Sequence, residues 1–125
     1  MEIKIGDKVT GIYKTGKYIG EITDIRPQHY LMKVKAVLKH PRQGDLHSPN
    51  MVEVPFFHER RALAYHEQTN IPKNMVKLYE DDIPAYIDSL KASLDTMKKE
   101  LLEENSTWAK RSLENIMILE KDYKL

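Results

Sequence analysis

From Tyr30 to Lys39 the chain alternates strictly. Tyr30, Met32, Val34, Ala36 and Leu38 fall on one side, and Leu31, Lys33, Lys35, Val37 and Lys39 on the other. That period of two predicts a strand with one apolar face and one largely basic face. Upstream, GDKVTGIYKTGKYIGEITDI holds short β-branched and aromatic runs broken at Thr15-Gly16, which predicts a hairpin turn. Gly20 lies inside a strand pattern and predicts a bulge or a close backbone approach, and Pro27 separates this strand from the next. Downstream, MVEV, RRALAYHEQ and NMVKLY predict further short strands, with Pro55 and Pro72 at edges or breaks. Strands this short and closely spaced suit a small SH3-like barrel better than a sandwich.

Beyond Tyr79 the period changes. Ile83, Ile87, Leu90, Leu94, Met97 and Leu101 recur at helical spacing, which predicts a long amphipathic helix. Asp81 and Asp82 would place carboxylates at its N-terminus, with Pro84 in the first turn, where a missing N–H costs nothing. Asn105 is the expected C-cap and Ser106 the next N-cap. A second helix is then predicted from about Thr107 to Lys121, burying Trp108, Leu113, Ile116 and either Ile118 or Leu119. The predicted fold class is therefore α+β: an SH3-like β-barrel over residues 1–79, followed by an αα-hairpin over 80–125 packed on or beside it.

Composition sharpens this picture in two ways. Residues 1–78 carry 13 Lys+Arg against 8 Asp+Glu, whereas 79–125 carry 7 against 11, so a net charge of +1 conceals a basic half and an acidic half. Such asymmetry suggests a two-signed interaction surface. The sequence has no cysteine, which excludes disulfides and thiolate metal sites within it. With no long apolar run and no signal-peptide core in MEIKIGDKV, the expectation is a soluble, cytoplasmic protein.

Candidate chemistry centres on KAVLKHPRQGDLHSPN, residues 35–50. His40 and His47, with Asp45 between them and His58 further on, are acceptable metal ligands, but their spacing matches no compact metal signature. No nucleophile elbow or phosphate-cradling glycine loop occurs, so neither catalytic residues, nor a cofactor, nor a metal is expected. Lys33, Lys35 and Lys39, with Tyr13, Tyr18 and Tyr30 as stacking platforms, allow an RNA- or ribosome-associated barrel as the alternative reading. Against it stand a sequence pI near 7.9 and the acidic C-terminal segment. A protein-binding surface is the preferred reading. It comprises His40, Arg42, Asp45 and His47 of a Pro/Gly-stiffened loop, the Phe56-Phe57 pair beside arginines, and Lys33 and Lys35. For Phe56 and Phe57 a competing reading is that both rings cap the barrel where the helical hairpin docks. The helical seam leaves open a monomer or a homodimer.

The stretches YKTGKYIGEITDIRP, KAVLKHPRQGDLHSPN, VPFFHERRALAYHEQTNIPKNMV and LEKDY together resemble the kinase-associated protein B family of spore-forming bacteria. The likeness runs from about Lys8 to Tyr123. It implies a non-enzymatic accessory protein, needed for a membrane-bound sensor histidine kinase to feed the phosphorelay that starts sporulation. It also implies a protein partner rather than a small-molecule substrate. The family is sometimes described as a lipoprotein. A chain without cysteine or lipobox is instead expected to reach the inner face of the membrane through its kinase partner.

Overall fold

A computed structural model describes residues 2–44 and 57–125. Five antiparallel strands, β1 (Lys8–Tyr13), β2 (Gly16–Ile25), β3 (His29–Lys39), β4 (Gln68–Pro72) and β5 (Val76–Leu78), form one sheet in the order β4-β3-β2-β1-β5. The predicted hairpin is present, with its turn at Lys14-Thr15, one residue earlier than expected, because Tyr13 pairs with Gly16. Among the described residues the two edge strands do not pair with each other, so the sheet they bound is not a closed barrel. They are joined only by a one-turn 3-10 helix, Lys73–Met75. A flat five-stranded sheet would set its edges roughly 19 Å apart, whereas a three-residue 3-10 turn rises only about 6 Å. The sheet must therefore coil strongly, which brings its edges towards each other without closing it.

The alternation read in β3 holds as far as Ala36 and then breaks. Ala36 and Val37 are both buried, whereas Leu38 is exposed beside Lys39. The β2–β3 register shifts between Lys17 and Tyr18 and again between Ile19 and Gly20, which turns the end of β3 over. The expected RRALAYHEQ strand is absent: only its last residue, Gln68, enters a strand, and residues 57–67 run outside the ladder. The predicted MVEV strand lies outside the described residues.

Helices α1 (Tyr86–Glu104) and α2 (Thr107–Asp122) form the expected hairpin. Asn105 takes a left-handed C-cap conformation (φ 51°), and the Ser106 hydroxyl accepts the Ala109 N–H at 3.0 Å, so two residues reverse the chain. The first helix starts later than the sequence predicts. It begins at Tyr86 with Ala85 as N-cap, because Lys8 Nζ donates to the Asp81 carbonyl (2.9 Å) and Tyr79 Oη to the Asp82 carbonyl (2.9 Å), tying 79–82 down ahead of the helix. Lys98 Nζ reaches Glu120 at 2.9 Å and links the two helices.

The core forms where α1 lies across β3. Tyr18, Ile22, Met32, Val34 and Val37 of the sheet share one apolar cluster with Leu90, Leu94 and Met97 of α1 and Trp108, Ile116 and Leu119 of α2. Each fully buried Leu or Ile contributes about 1.5–3 kcal/mol of transfer free energy. Ser89 and Ser93 belong to the same buried stripe. The Ser89 hydroxyl accepts the buried Val37 N–H at 2.9 Å and donates to the Tyr86 carbonyl at 2.7 Å. Ser89→Ala is therefore expected to cost about 2 kcal/mol, because it strands a buried backbone donor. Urea unfolding checks this, and a loss under about 0.5 kcal/mol would mean that another acceptor takes over.

Candidate partner-binding site

The residues marked by sequence fall into two separate places. The first is a polar clamp at the end of β3. His40 is 0% exposed. Its Nδ1–H donates to the Pro41 carbonyl (3.0 Å), which leaves Nε2 to accept the Tyr123 hydroxyl (3.1 Å). Tyr123 Oη in turn accepts the Ala62 N–H at 2.9 Å. Beside it, the buried Gln43 amide accepts the Arg60 N–H and donates to the Arg60 carbonyl, both at 2.9 Å. Tyr18 Oη accepts the Leu63 N–H (3.2 Å), and Tyr86 Oη donates to the Leu63 carbonyl (2.5 Å). Backbone that would otherwise need a sheet ladder is thus satisfied by side chains of the loop after β3 (Gln43), β2 (Tyr18), α1 (Tyr86) and the C-cap of α2 (Tyr123). This is why residues 60–63 are held in place without forming a strand.

His40 is consequently no surface contact. Both ring nitrogens are occupied within the protein, which leaves no lone pair for a metal or a partner. Burial pushes its pKa from 6.5 down to about 4, and the bond to the Pro41 carbonyl opposes that shift only in part. Phe57, for which the sequence allowed either an exposed anchor or a ring packed where the helical hairpin docks, is half-buried against the core, with the Arg111 guanidinium of α2 5.1 Å from its ring centre. Gly44 lies beside this ring, where an added Cβ would come within 3.0 Å of it, and its φ of +96° is a conformation suited to glycine. Arg42 is half-buried, its guanidinium 4.5 Å from the Trp108 ring centre and its N–H bonded to Thr15 Oγ1. Asp45, His47 and Phe56 lie outside the described residues. Tyr18, proposed as a base-stacking platform, is buried and cannot serve as one.

The second place is on the surface. Lys33 and Lys35 emerge half-buried from β3, as their side of the alternation requires. Lys35 borders a groove of about 980 Å³ between the sheet and the start of α1. Tyr65, Ile83, Pro84, Tyr86 and Ile87 form its apolar wall, with Lys8 and Glu21 on the sheet side. Tyr65 and Ile87 are each 53% exposed. Tyr65 stacks on His66 with ring centres 3.7 Å apart, and Lys35 Nζ donates to His66 Nε2 at 3.1 Å. Restricted hydration, and then the charges of Lys35 and Lys33, push the His66 pKa down and favour this neutral acceptor.

Sequence reasoning assigned Ile83 and Ile87 to the buried seam and passed over Tyr65 and Lys8. The two isoleucines do fit the helical spacing, but Ile83 precedes the helix and Ile87 lies in its first turn. The Pro84 break just before the helix was the available signal that the seam begins later.

In class, this is a small α+β protein that presents a lysine-edged apolar groove, while its most conspicuous histidine serves the interior. Comparison with known proteins is consistent along nearly the whole chain. Residues 13–124 match the family model described as Kinase associated protein B. The chain is 63% identical over 118 residues to "Kinase-associated lipoprotein B" of Bacillus subtilis (strain 168), covering 94% of this chain and 92% of that protein. It is also similar to the crystal structure of kinase-associated protein B from Bacillus cereus, at 53% identity and TM-score 0.85, covering 99% of this chain and 100% of that one. The chain belongs to the Kinase associated protein B family. One relative's name includes the word lipoprotein; the 125 residues here hold no cysteine, and no described helix is long and apolar enough to cross a membrane.

Proposed function

We propose that this protein is a non-enzymatic accessory protein that binds a membrane sensor histidine kinase and promotes its signalling into the phosphorelay that starts sporulation. The observation that carries this reading is the family match over residues 13–124, together with 63% identity to a relative named as kinase-associated. The surface supports it physically: an open, partly apolar groove suits another polypeptide better than a small substrate. A binding protein raises kinase output only by favouring the active state over the inactive one, and about 1.4 kcal/mol of differential binding shifts that balance tenfold. On this reading the protein works at the cytoplasmic face of the membrane and is held there by its partner.

The test is affinity capture of the tagged full chain from detergent-solubilised membranes of its own cells, with nuclease added. Recovery of a sensor histidine kinase is the expected result. Recovery of ribosomal proteins alone, lost on nuclease treatment, would transfer the protein to the RNA-associated reading.

A further inference from the structure

We infer that the groove between β3 and the start of α1 receives an acidic segment of the kinase, seating a large apolar side chain against Tyr65 and Ile87 and its carboxylates on Lys8 and Lys35. The inference rests on the proposed kinase-binding role and adds to it a place and a partner chemistry.

Three observations carry it. Tyr65 and Ile87, both 53% exposed, face one groove rather than standing apart on the surface. Exposed apolar groups that converge in this way, rimmed by charge, have the make-up of an interface core and its rim. The charge of its lining is also unbalanced. Lys8 and Lys35 line the groove with one carboxylate, Glu21, which pairs across the ladder with both Lys8 and Lys33, while the acidic run 80–82 precedes the wall at Ile83 and is not part of the lining. Among the described residues, none of Lys8, Lys33 and Lys35 forms an ion pair. Lys8 is held by the main-chain carbonyl of Asp81, and Lys35 by neutral His66. Their charges are positioned yet not neutralised, which favours an incoming carboxylate.

A second copy of this chain fits less well. In a two-fold contact the same patch meets itself, which would set lysine rim against lysine rim. A head-to-tail contact with the acidic helical hairpin would pass an open groove from copy to copy, ending only in a ring or an open filament rather than in a simple dimer. The favoured occupant is therefore a segment of another protein.

The test places a photoreactive benzoylphenylalanine at Tyr65 or Ile87 of the full chain, with Leu102, 67% exposed on α1, as the control position. After irradiation with solubilised membranes, the expected product joins positions 65 and 87, but not 102, to an Asp/Glu-rich peptide of the kinase. Separately, Lys8→Glu with Lys35→Glu should reduce kinase capture about tenfold, whereas Lys99→Glu should leave it unchanged. Crosslinks to a second copy of this chain, or to the kinase only from position 102, would overturn the inference. So would equal capture by wild type and the double variant, although the kinase-binding role would then stand. If wild type captures no kinase, both fall together.

Discussion

Gly20→Ala is expected to destabilise the protein by about 3 kcal/mol, lowering the urea midpoint by about 1–2 M. The reason is geometric. A Cβ at Gly20 would sit 2.5 Å from the Lys33 carbonyl oxygen and 2.6 Å from Met32 Cγ. The first contact is decisive, because a main-chain oxygen in the adjacent strand cannot rotate away as a side-chain tip can. Gly11 provides the contrast. A Cβ there meets Met32 Sδ at 3.0 Å and Cε at 3.3 Å, the far end of a flexible side chain. Gly11→Ala should therefore cost under about 1 kcal/mol. Shortening Met32 should not rescue Gly20→Ala, since the carbonyl contact remains. If Gly20→Ala unfolds at the wild-type midpoint, β3 can shift freely at this point and the bulge is not a fixed feature. The consequence would extend to the surface, because the carbonyl that Gly20 makes room for belongs to Lys33, on the strand that carries Lys35 to the groove.

That close approach was legible in the sequence as a glycine interrupting a strand pattern. So were the β1–β2 hairpin, the Asn105 and Ser106 caps and, on α2, the burial of Trp108 and Ile116; the structure chooses Leu119 over Ile118, which the spacing left open, and leaves Leu113 only partly buried. These features depend on local chemistry: turn residues, cap hydroxyls and the periods of side-chain burial. The overturned expectations depended on partners distant in sequence. RRALAYHEQ has the composition of a strand, yet residues 60–63 find their hydrogen bonds on Gln43, Tyr18, Tyr86 and Tyr123, which lie up to 61 residues away in the chain. Nothing within the segment announces this.

The candidate residues follow the same division. The outward direction of Lys33 and Lys35 was legible because alternation fixes which way a strand side chain points. His40 was misread because a histidine beside Pro41 looks like part of a surface loop. Its burial depends on Tyr123, 83 residues further on. The groove went unread because its wall combines a turn residue, Tyr65, with a helix start. Only the coiling of the sheet and the packing of α1 on β3 bring those pieces together.

Lowering the pH from 7 to 4 is expected to remove roughly 3 kcal/mol of stability through His40 alone. In the folded protein its pKa falls to about 4 from an unfolded value of 6.5. Below pH 6.5 the unfolded chain takes up a proton that the native state refuses. His40's contribution is therefore fully present above 6.5, declines as the pH falls towards about 4, and is level below that. The structural cause is that Nε2 must accept the Tyr123 hydroxyl proton while Nδ1–H serves Pro41. A second ring proton would displace the Tyr123 donor and place a charge where water does not reach. His40→Phe keeps an aromatic ring and removes the titration. It should be weaker than wild type at pH 7 by about 1–2 kcal/mol for the lost hydrogen bonds. Its stability should nevertheless fall less steeply with acid, so that the two curves converge and cross at about pH 5–6, leaving the variant the more stable by about 1–2 kcal/mol at pH 4. Urea unfolding of both at several pH values separates His40 from the carboxylates that titrate in each. Parallel curves would mean that some other group carries the acid sensitivity. Converging curves would identify His40 as the point through which acid loosens the Tyr123–Ala62 link, and with it the hold on the segment leading to Tyr65 and the groove.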